Sequence, residues 1–273
     1  MKKTIELNEL KKIEIDLLIK LDKYCSEHGL RYYITYGTLI GAVRHHGFIP
    51  WDDDIDVIMP RKDYEQLIQS FNIDNVDSSV KVISHKLDAG YCLPIAKLIE
   101  TRTVLKEKTD TDVEIGVYID IFPLENLSDD YEEAKKRMKK GFIFNEKIIL
   151  KTVSISPTRS KIKNLILWLG KLVLKGQSIS DIVNRLDQYC KETESDGFTK
   201  YVGVICGISA GDSSRVFKRE WFDTTVRMPF EGRDYPAPSG YDPMLRQLYG
   251  DYMSLPPADK QVSHHVFEAW YKE

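Results

Sequence analysis

Apolar residues recur at three- and four-residue steps through residues 5–28, with Leu7, Leu10, Ile13, Leu17, Leu18, Leu21, Tyr24 and Cys25 on one stripe. That period predicts an amphipathic helix, stopped by Gly29. The pattern then shortens to an extended run at 30–35, breaks at Tyr36-Gly37-Thr38, and returns as a short helix over 39–46. Residues 54–59 begin by alternating and read as a strand closed by Pro60, which opens the next helix with Tyr64, Leu67, Ile68 and Phe71 as its buried stripe. Strands are expected at 80–85, 91–99 and 113–122, the last closed by Pro123. From Ser128 the chain turns helical to about residue 150, breaks around Pro157, and continues as an apolar stretch over 161–176 and a Ser178-capped helix to about 194. A short strand at 201–206, a hairpin over 224–238 and a helix over 239–249 ended by Gly250 complete the pattern.

Composition narrows the class. The 273 residues are 42% hydrophobic and 30% charged with net charge −3, as in a globular protein with no basic footprint for nucleic acid. Cys25, Cys92, Cys190 and Cys206 are scattered, without the spacing of a zinc site. With no signal-like start, a reducing cytoplasmic setting is expected. The stretch 161–176 is the most hydrophobic, yet too short and too lysine-flanked to span a bilayer. A helix packed against its neighbours is the simpler expectation for it. The alternative is peripheral contact with the inner face of a membrane, with Trp168 at headgroup depth and Lys161, Lys163, Lys171 and Lys175 above.

The candidate chemistry sits in 36–60. Asp52, Asp53, Asp54 and Asp56 crowd into five positions leading into an apolar strand. Alternation puts Asp52, Asp54 and Asp56 on one face, with Cα atoms roughly 6.5–7 Å apart. Carboxylates that close call for a positive partner, and oxygen ligands alone favour Mg²⁺ or Mn²⁺ over zinc. A solvated acidic turn is the plain alternative. Upstream, the Gly37-Thr38 junction offers backbone N–H groups and a hydroxyl to an anion. Arg44 can reach the same anion or favour its own helix end. Lys97 either snorkels or faces phosphates, and Arg102 at a turn carries the same two readings. Asp120 stands alone in an apolar run, where a carboxylate needs a cation or hydrogen bonds. A neighbouring strand would place it beside Asp54 and Asp56.

Gly37-Thr38-Leu39-Ile40-Gly41-Ala42-Val43-Arg44 and Gly47-Phe48-Ile49-Pro50-Trp51-Asp52-Asp53-Asp54-Ile55-Asp56 resemble the LicD family of phosphocholine transferases. The likeness continues at Ala96-Lys97, Thr101-Arg102-Thr103, Ile119-Asp120-Ile121-Phe122-Pro123-Leu124, Tyr249-Gly250-Asp251-Tyr252-Met253 and His264-His265, and is weakest over roughly 130–200. The resemblance implies an α+β, nucleotidyltransferase-like fold, with a mixed sheet flanked by helices and an additional mainly helical region. Three regions are expected: 1–127 as catalytic core, 128–200 as a helical insertion for acceptor or membrane contact, and 201–273 completing the site. It further implies Mg²⁺ or Mn²⁺ on Asp54, Asp56 and Asp120, and a phosphate turn at Gly37 and Thr38. The donor would be CDP-choline and the acceptor a sugar hydroxyl of a lipid-linked teichoic acid or lipopolysaccharide precursor.

On this reading Gly37, Thr38, Arg44 and Lys97 hold phosphate oxygens, with Arg102 a further candidate. Asp120 is the first choice of general base, ahead of Asp52 and Asp53. A quaternary ammonium calls for aromatic rings, with Tyr32, Tyr33, Tyr36 and Trp51 nearby in sequence. The rival readings are transfer of a polyol phosphate such as ribitol phosphate from a CDP donor, nucleotide transfer with pyrophosphate release, and a catalytically inactive wall-synthesis scaffold.

Overall fold

The computed structural model describes residues 3–107, 115–153, 155, 160–193, 199–207, 213–262 and 267–273. His264 and His265 lie outside them. Helix α1 (Leu7–His28) forms where the stripe predicts, buries Leu10, Leu17, Leu18 and Leu21, and ends at Gly29 in the left-handed region (φ +67°). Strand β1 (Tyr33–Ile34) leads into α2 (Tyr36–His45), then β2 (Asp56–Pro60) and α3 (Arg61–Asp74). β3 (Val80–Ile83), β4 (Ala96–Glu100), β5 (Thr103–Glu107) and β6 (Tyr118–Ser128) follow. Helices α4 (Tyr131–Thr152), α5 (Lys161–Val173) and α6 (Ile179–Lys191) precede β7 (Tyr201–Gly203), β8 (Val216–Lys218), β9 (Thr225–Phe230), β10 (Arg233–Pro238), α7 (Tyr241–Tyr249) and β11 (Phe267–Tyr271).

The fold is α+β. The main sheet runs β1-β2-β6-β4-β3, with β7 on the far half of β6 and β8 beyond it. β2 and β6 are parallel and the other pairs antiparallel, so the sheet is mixed. Leu17 and Leu21 of α1, Leu67 and Phe71 of α3, and Val183 and Leu186 of α6 join one core with the sheet. No helix among the described residues is long and apolar enough to cross a membrane.

The differences from the sequence reading have local causes. β6 does not stop at Pro123: it runs through to Ser128. β4 covers β6 only as far as Ile121, opposite Ala96, and β7 takes over at Glu125, opposite Gly203. Pro123 falls in the gap, where its missing N–H deprives no ladder. The run at 91–99 is strand only from Ala96, and that at 30–35 only at Tyr33–Ile34. The tail, expected without a strand, contributes β11 antiparallel to β5, and Thr4 bridges to Trp270 beside it. The expected hairpin is present as β9–β10, turned at Glu231 (φ +49°) and Gly232 (φ +79°). Two positive φ values make the turn whose twist matches paired strands. The stretch 161–176 departs most from the simpler expectation: α5 buries only Leu167 and leaves most of its apolar side chains in solvent.

Candidate active site

The parallel register of β2 and β6 aligns Asp56 with Asp120, on backbones about 4.8 Å apart. Asp120 N–H donates to the Ile55 carbonyl at 2.9 Å, and Thr35 N–H to the Asp56 carbonyl at 3.1 Å, which fixes the strand starts. On the other side, β4 places Lys97 opposite Asp120. Lys97 is 3% exposed; its Nζ lies 2.6 Å from Asp120 Oδ1 and 3.2 Å from the centre of the Tyr118 ring. It therefore does not snorkel: it is a buried counter-charge.

Helix α2 begins earlier than the period suggests, so Gly37 and Thr38 occupy its first turn, where N–H groups lack partners within the helix. Tyr36 enters this turn at φ +48°, a costly conformation for an aromatic residue. Thr38 Oγ1 accepts the Asp56 N–H at 2.8 Å and ties the turn to the acidic strand. A Cβ on Gly37 would meet Asp52 Oδ2 at 2.4 Å, so that carboxylate rests against the glycine backbone.

Negative charge accumulates here. Asp56 is held well above the ordinary carboxylate range by burial first, then by Asp54, Asp120 and Asp52, with Lys97 opposing. Glu14, on the buried face of α1, joins the cluster. It is 3% exposed, its Oε2 has no hydrogen-bond partner among the described residues, and its pKa is raised by burial, then by Asp54 and Asp53. The sequence signal for it was a carboxylate on the stripe of Leu10, Leu17 and Leu18.

The donor set is carboxylate throughout and carries an orphaned buried oxygen, which fits a hard cation such as Mg²⁺ or Mn²⁺. Asp54, Asp56 and Asp120 do not form a triad with all three ligand atoms within 4.8 Å of one another. Among the described residues only Glu125, Cys190 and Cys206 approach that closely. Glu125 is bound by the Arg61 guanidinium.

The remaining candidates divide. Arg44 Nη1 donates to the Tyr252 carbonyl at 2.7 Å and the Ser254 carbonyl at 3.3 Å, so it clamps the segment after α7. The structure does not bring Arg102 to the acids. It lies five residues beyond Lys97, past the end of β4, is 67% exposed, and forms a two-pronged pair with Glu100. Tyr32 and Tyr33 are buried, donating to Asp22 and the Phe222 carbonyl. Tyr36 is the ring at the site: Phe122 meets it edge-on at 5.6 Å and the Arg215 guanidinium lies 5.0 Å from its centre. Tyr249, 46% exposed, stands at the same corner, within electrostatic reach of Tyr36, Arg215, Asp56 and Asp52. Arg215 had no local signal, because only folding brings position 215 to position 36.

Residues 29–160 match the family described as LicD/FKTN/FKRP, nucleotidyltransferase domain. The lipopolysaccharide cholinephosphotransferase LicD of Haemophilus influenzae is 28% identical over 274 residues, covering 98% of this chain and 99% of that protein. An uncharacterised protein of Rickettsia typhi is 38% identical over 73 residues, 26% of this chain and 21% of its own length. Mannosyltransferase regulator 4 of Saccharomyces cerevisiae is 29% identical over 111 residues, 39% of this chain and 9% of its own. Glu14 and Arg215 lie outside the matched domain, but within the nearly full-length likeness to the Haemophilus protein. Residues 29–160 thus carry a LicD/FKTN/FKRP nucleotidyltransferase domain, and likeness to a LicD protein extends over nearly the whole chain.

Proposed function

We propose that this protein transfers phosphocholine from CDP-choline to a sugar hydroxyl of a cell-surface glycan precursor, teichoic acid or lipopolysaccharide, and releases CMP. The observation that carries the reading is the β2–β6 register, which sets Asp56 beside Asp120 directly against the Thr38-anchored turn of α2. A divalent cation bound by Asp54, Asp56 and Asp120 would neutralise the donor pyrophosphate and the oxygen that leaves with CMP.

The chain's own residues supply the rest. The N–H groups of Gly37 and Thr38 bind phosphate oxygens at the helix start. Lys97, buried beside Asp120, adds positive charge next to the reacting phosphate. Arg215 takes the phosphate role first expected of Arg44 and Arg102, because it reaches the Tyr36 corner of the cluster. The acceptor oxygen forms the new bond to the phosphocholine phosphorus, the bond to the CMP oxygen breaks, and the hydroxyl proton passes to Asp120. The Tyr36 face that now holds a guanidinium suits the quaternary ammonium of choline once Arg215 moves onto a phosphate.

Product analysis tests this. With CDP-choline, Mg²⁺ and a lipid-linked glycan acceptor, CMP should appear in step with phosphocholine on the glycan. Asp120→Asn should lower the rate about a hundredfold or more, the usual scale for losing one charge-stabilising group at a transferring centre. Release of pyrophosphate instead of CMP would overturn the proposal.

A further inference from the structure

Helix α5 stands outside the transfer chemistry, and its surface is unlike the rest of the molecule. Ile162, Leu165, Ile166, Leu169, Leu172 and Val173 are all exposed, from 47% at Leu169 to 81% at Val173. At 3.6 residues per turn these six fall within an arc of about 120° on one side of the helix. Trp168, also exposed, borders that arc. The opposite side holds the helix to the protein. Leu167 is buried, Gly170 sits where a Cβ would meet Leu150 Cδ2 of α4 at 3.1 Å, and Leu174, just past the helix, is buried with its carbonyl accepting from Lys151 Nζ at 3.0 Å. The apolar arc is therefore presented outward by a helix anchored from behind. A contiguous apolar face of this kind on an otherwise ordinary surface marks an interaction site.

Charge identifies the partner. Residues 160–180 carry four lysines and no carboxylate. By helical position Lys161, Lys171 and Lys175 follow the Trp168 margin of the arc, and Lys163 lies on the other margin. An apolar stripe with an interfacial tryptophan and lysines along its margins is the pattern of a helix lying in the plane of a bilayer surface. Docking of the same face on a second copy would bring two sets of lysines together with no acid from either helix to offset them. With 13 residues the helix cannot cross a bilayer.

We propose that α5 is a membrane-docking element that lays its Ile162–Leu165–Leu169–Val173 face into an anionic lipid surface. The proposal goes beyond the transfer reaction and needs nothing from the acidic cluster. If the acceptor is lipid-linked, docking would bring the enzyme to it.

Sedimentation of the full chain with phosphatidylglycerol-containing vesicles and with pure phosphatidylcholine vesicles tests this. Binding to the anionic vesicles should be at least tenfold tighter, and Trp168 emission should shift to the blue on binding, a change absent from Trp168→Phe. Leu165→Glu/Leu169→Glu should lower vesicle binding at least tenfold while CMP release with a soluble acceptor is kept. These side chains face solvent; a second variant, Lys161→Glu/Lys163→Glu, leaves the apolar face intact and should remove most of the preference for anionic lipid. Absence of vesicle binding by the parent, or equal binding by the Leu165/Leu169 variant, would overturn the proposal. So would a parent dimer that the variant dissolves without any lipid binding, which would assign the face to a second copy. Because the readout is lipid binding, failure of the donor assignment would leave it unchanged.

Discussion

Glu14 shows how a single position can reveal a site's demand for positive charge. A buried carboxylate with an unpartnered oxygen among other acids destabilises the fold that holds it. Its folded pKa lies above the ordinary 4.5, so folded and unfolded chains hold its proton alike only below that value. As pH rises toward neutrality the folded state is increasingly penalised. Glu14→Gln should therefore stabilise the metal-free protein by about 1–3 kcal/mol at pH 7. The gain should shrink as pH falls toward 4.5 and diminish when Mg²⁺ is bound; urea unfolding across pH, with and without Mg²⁺, measures both. Equal stability of parent and variant at pH 7 would mean that Glu14 carries no such penalty. Asp54, Asp56 and Asp120 were legible in the sequence because each interrupts or abuts an apolar strand. Glu14 carried a weaker signal, a carboxylate on the leucine stripe, and the helical period around it is satisfied by its leucine neighbours without it. Lys97 was legible only as an alternative, because the register that pairs it with Asp120 is a tertiary fact.

Among the elements, β6 and α3 share a second charged centre that serves structure. Arg61, at the start of α3, is buried; its Nε donates to Glu125 Oε2 at 2.9 Å, and its Nη1 donates to Glu65 Oε1 at 2.9 Å and to Asp187 Oδ1 of α6 at 3.2 Å. Nη2 completes the pairing with Glu125. Arg61→Met would strand a Glu125 carboxylate that is 1% exposed. Loss of one partner of a buried pair costs about 3–5 kcal/mol, so the variant should unfold at markedly lower denaturant. Folded material should keep the parent's donor affinity, since this network lies on α3, α6 and the β7-paired half of β6. A drop in affinity at unchanged stability would move Arg61 into the site. Helix periods made α1 and α3 readable from their stripes, while α4 and α6 were read from their capping and first-turn residues. The strands were harder, because pairing decides their length: β6 runs through a proline that alone would end it.

Across the whole molecule, the site is assembled from distant parts of the chain. Helix α1 brings Glu14, the β2–β6 pair brings the aspartates, the segment before β8 brings Arg215, and the end of α7 brings Tyr249. The hairpin turn locks the loop after α2: Glu231 Oε1 accepts the Phe48 N–H at 3.1 Å and the Glu231 N–H donates to the His46 carbonyl at 3.1 Å. The motif around 36–60 was legible because its chemistry is contiguous. The contributions from 14, 215 and 249 depend on long-range packing, so local pattern did not assign them to the site; the outward face of α5 was carried in the sequence only as the alternative to a packed helix, and the absence of a covering element among the described residues favours that alternative.

The acidic centre is proposed to bind a CDP-activated alcohol through a divalent cation. The most direct test is calorimetric titration of CDP-choline, CDP-ribitol and ATP, each with Mg²⁺, into the parent and into Asp54→Ala/Asp56→Ala. Metal-dependent binding of CDP-choline is expected, with weaker or absent binding of the other two and loss of CDP-choline binding in the double variant. Preference for CDP-ribitol or ATP, or CDP-choline binding that survives the double substitution, would contradict the proposed binding.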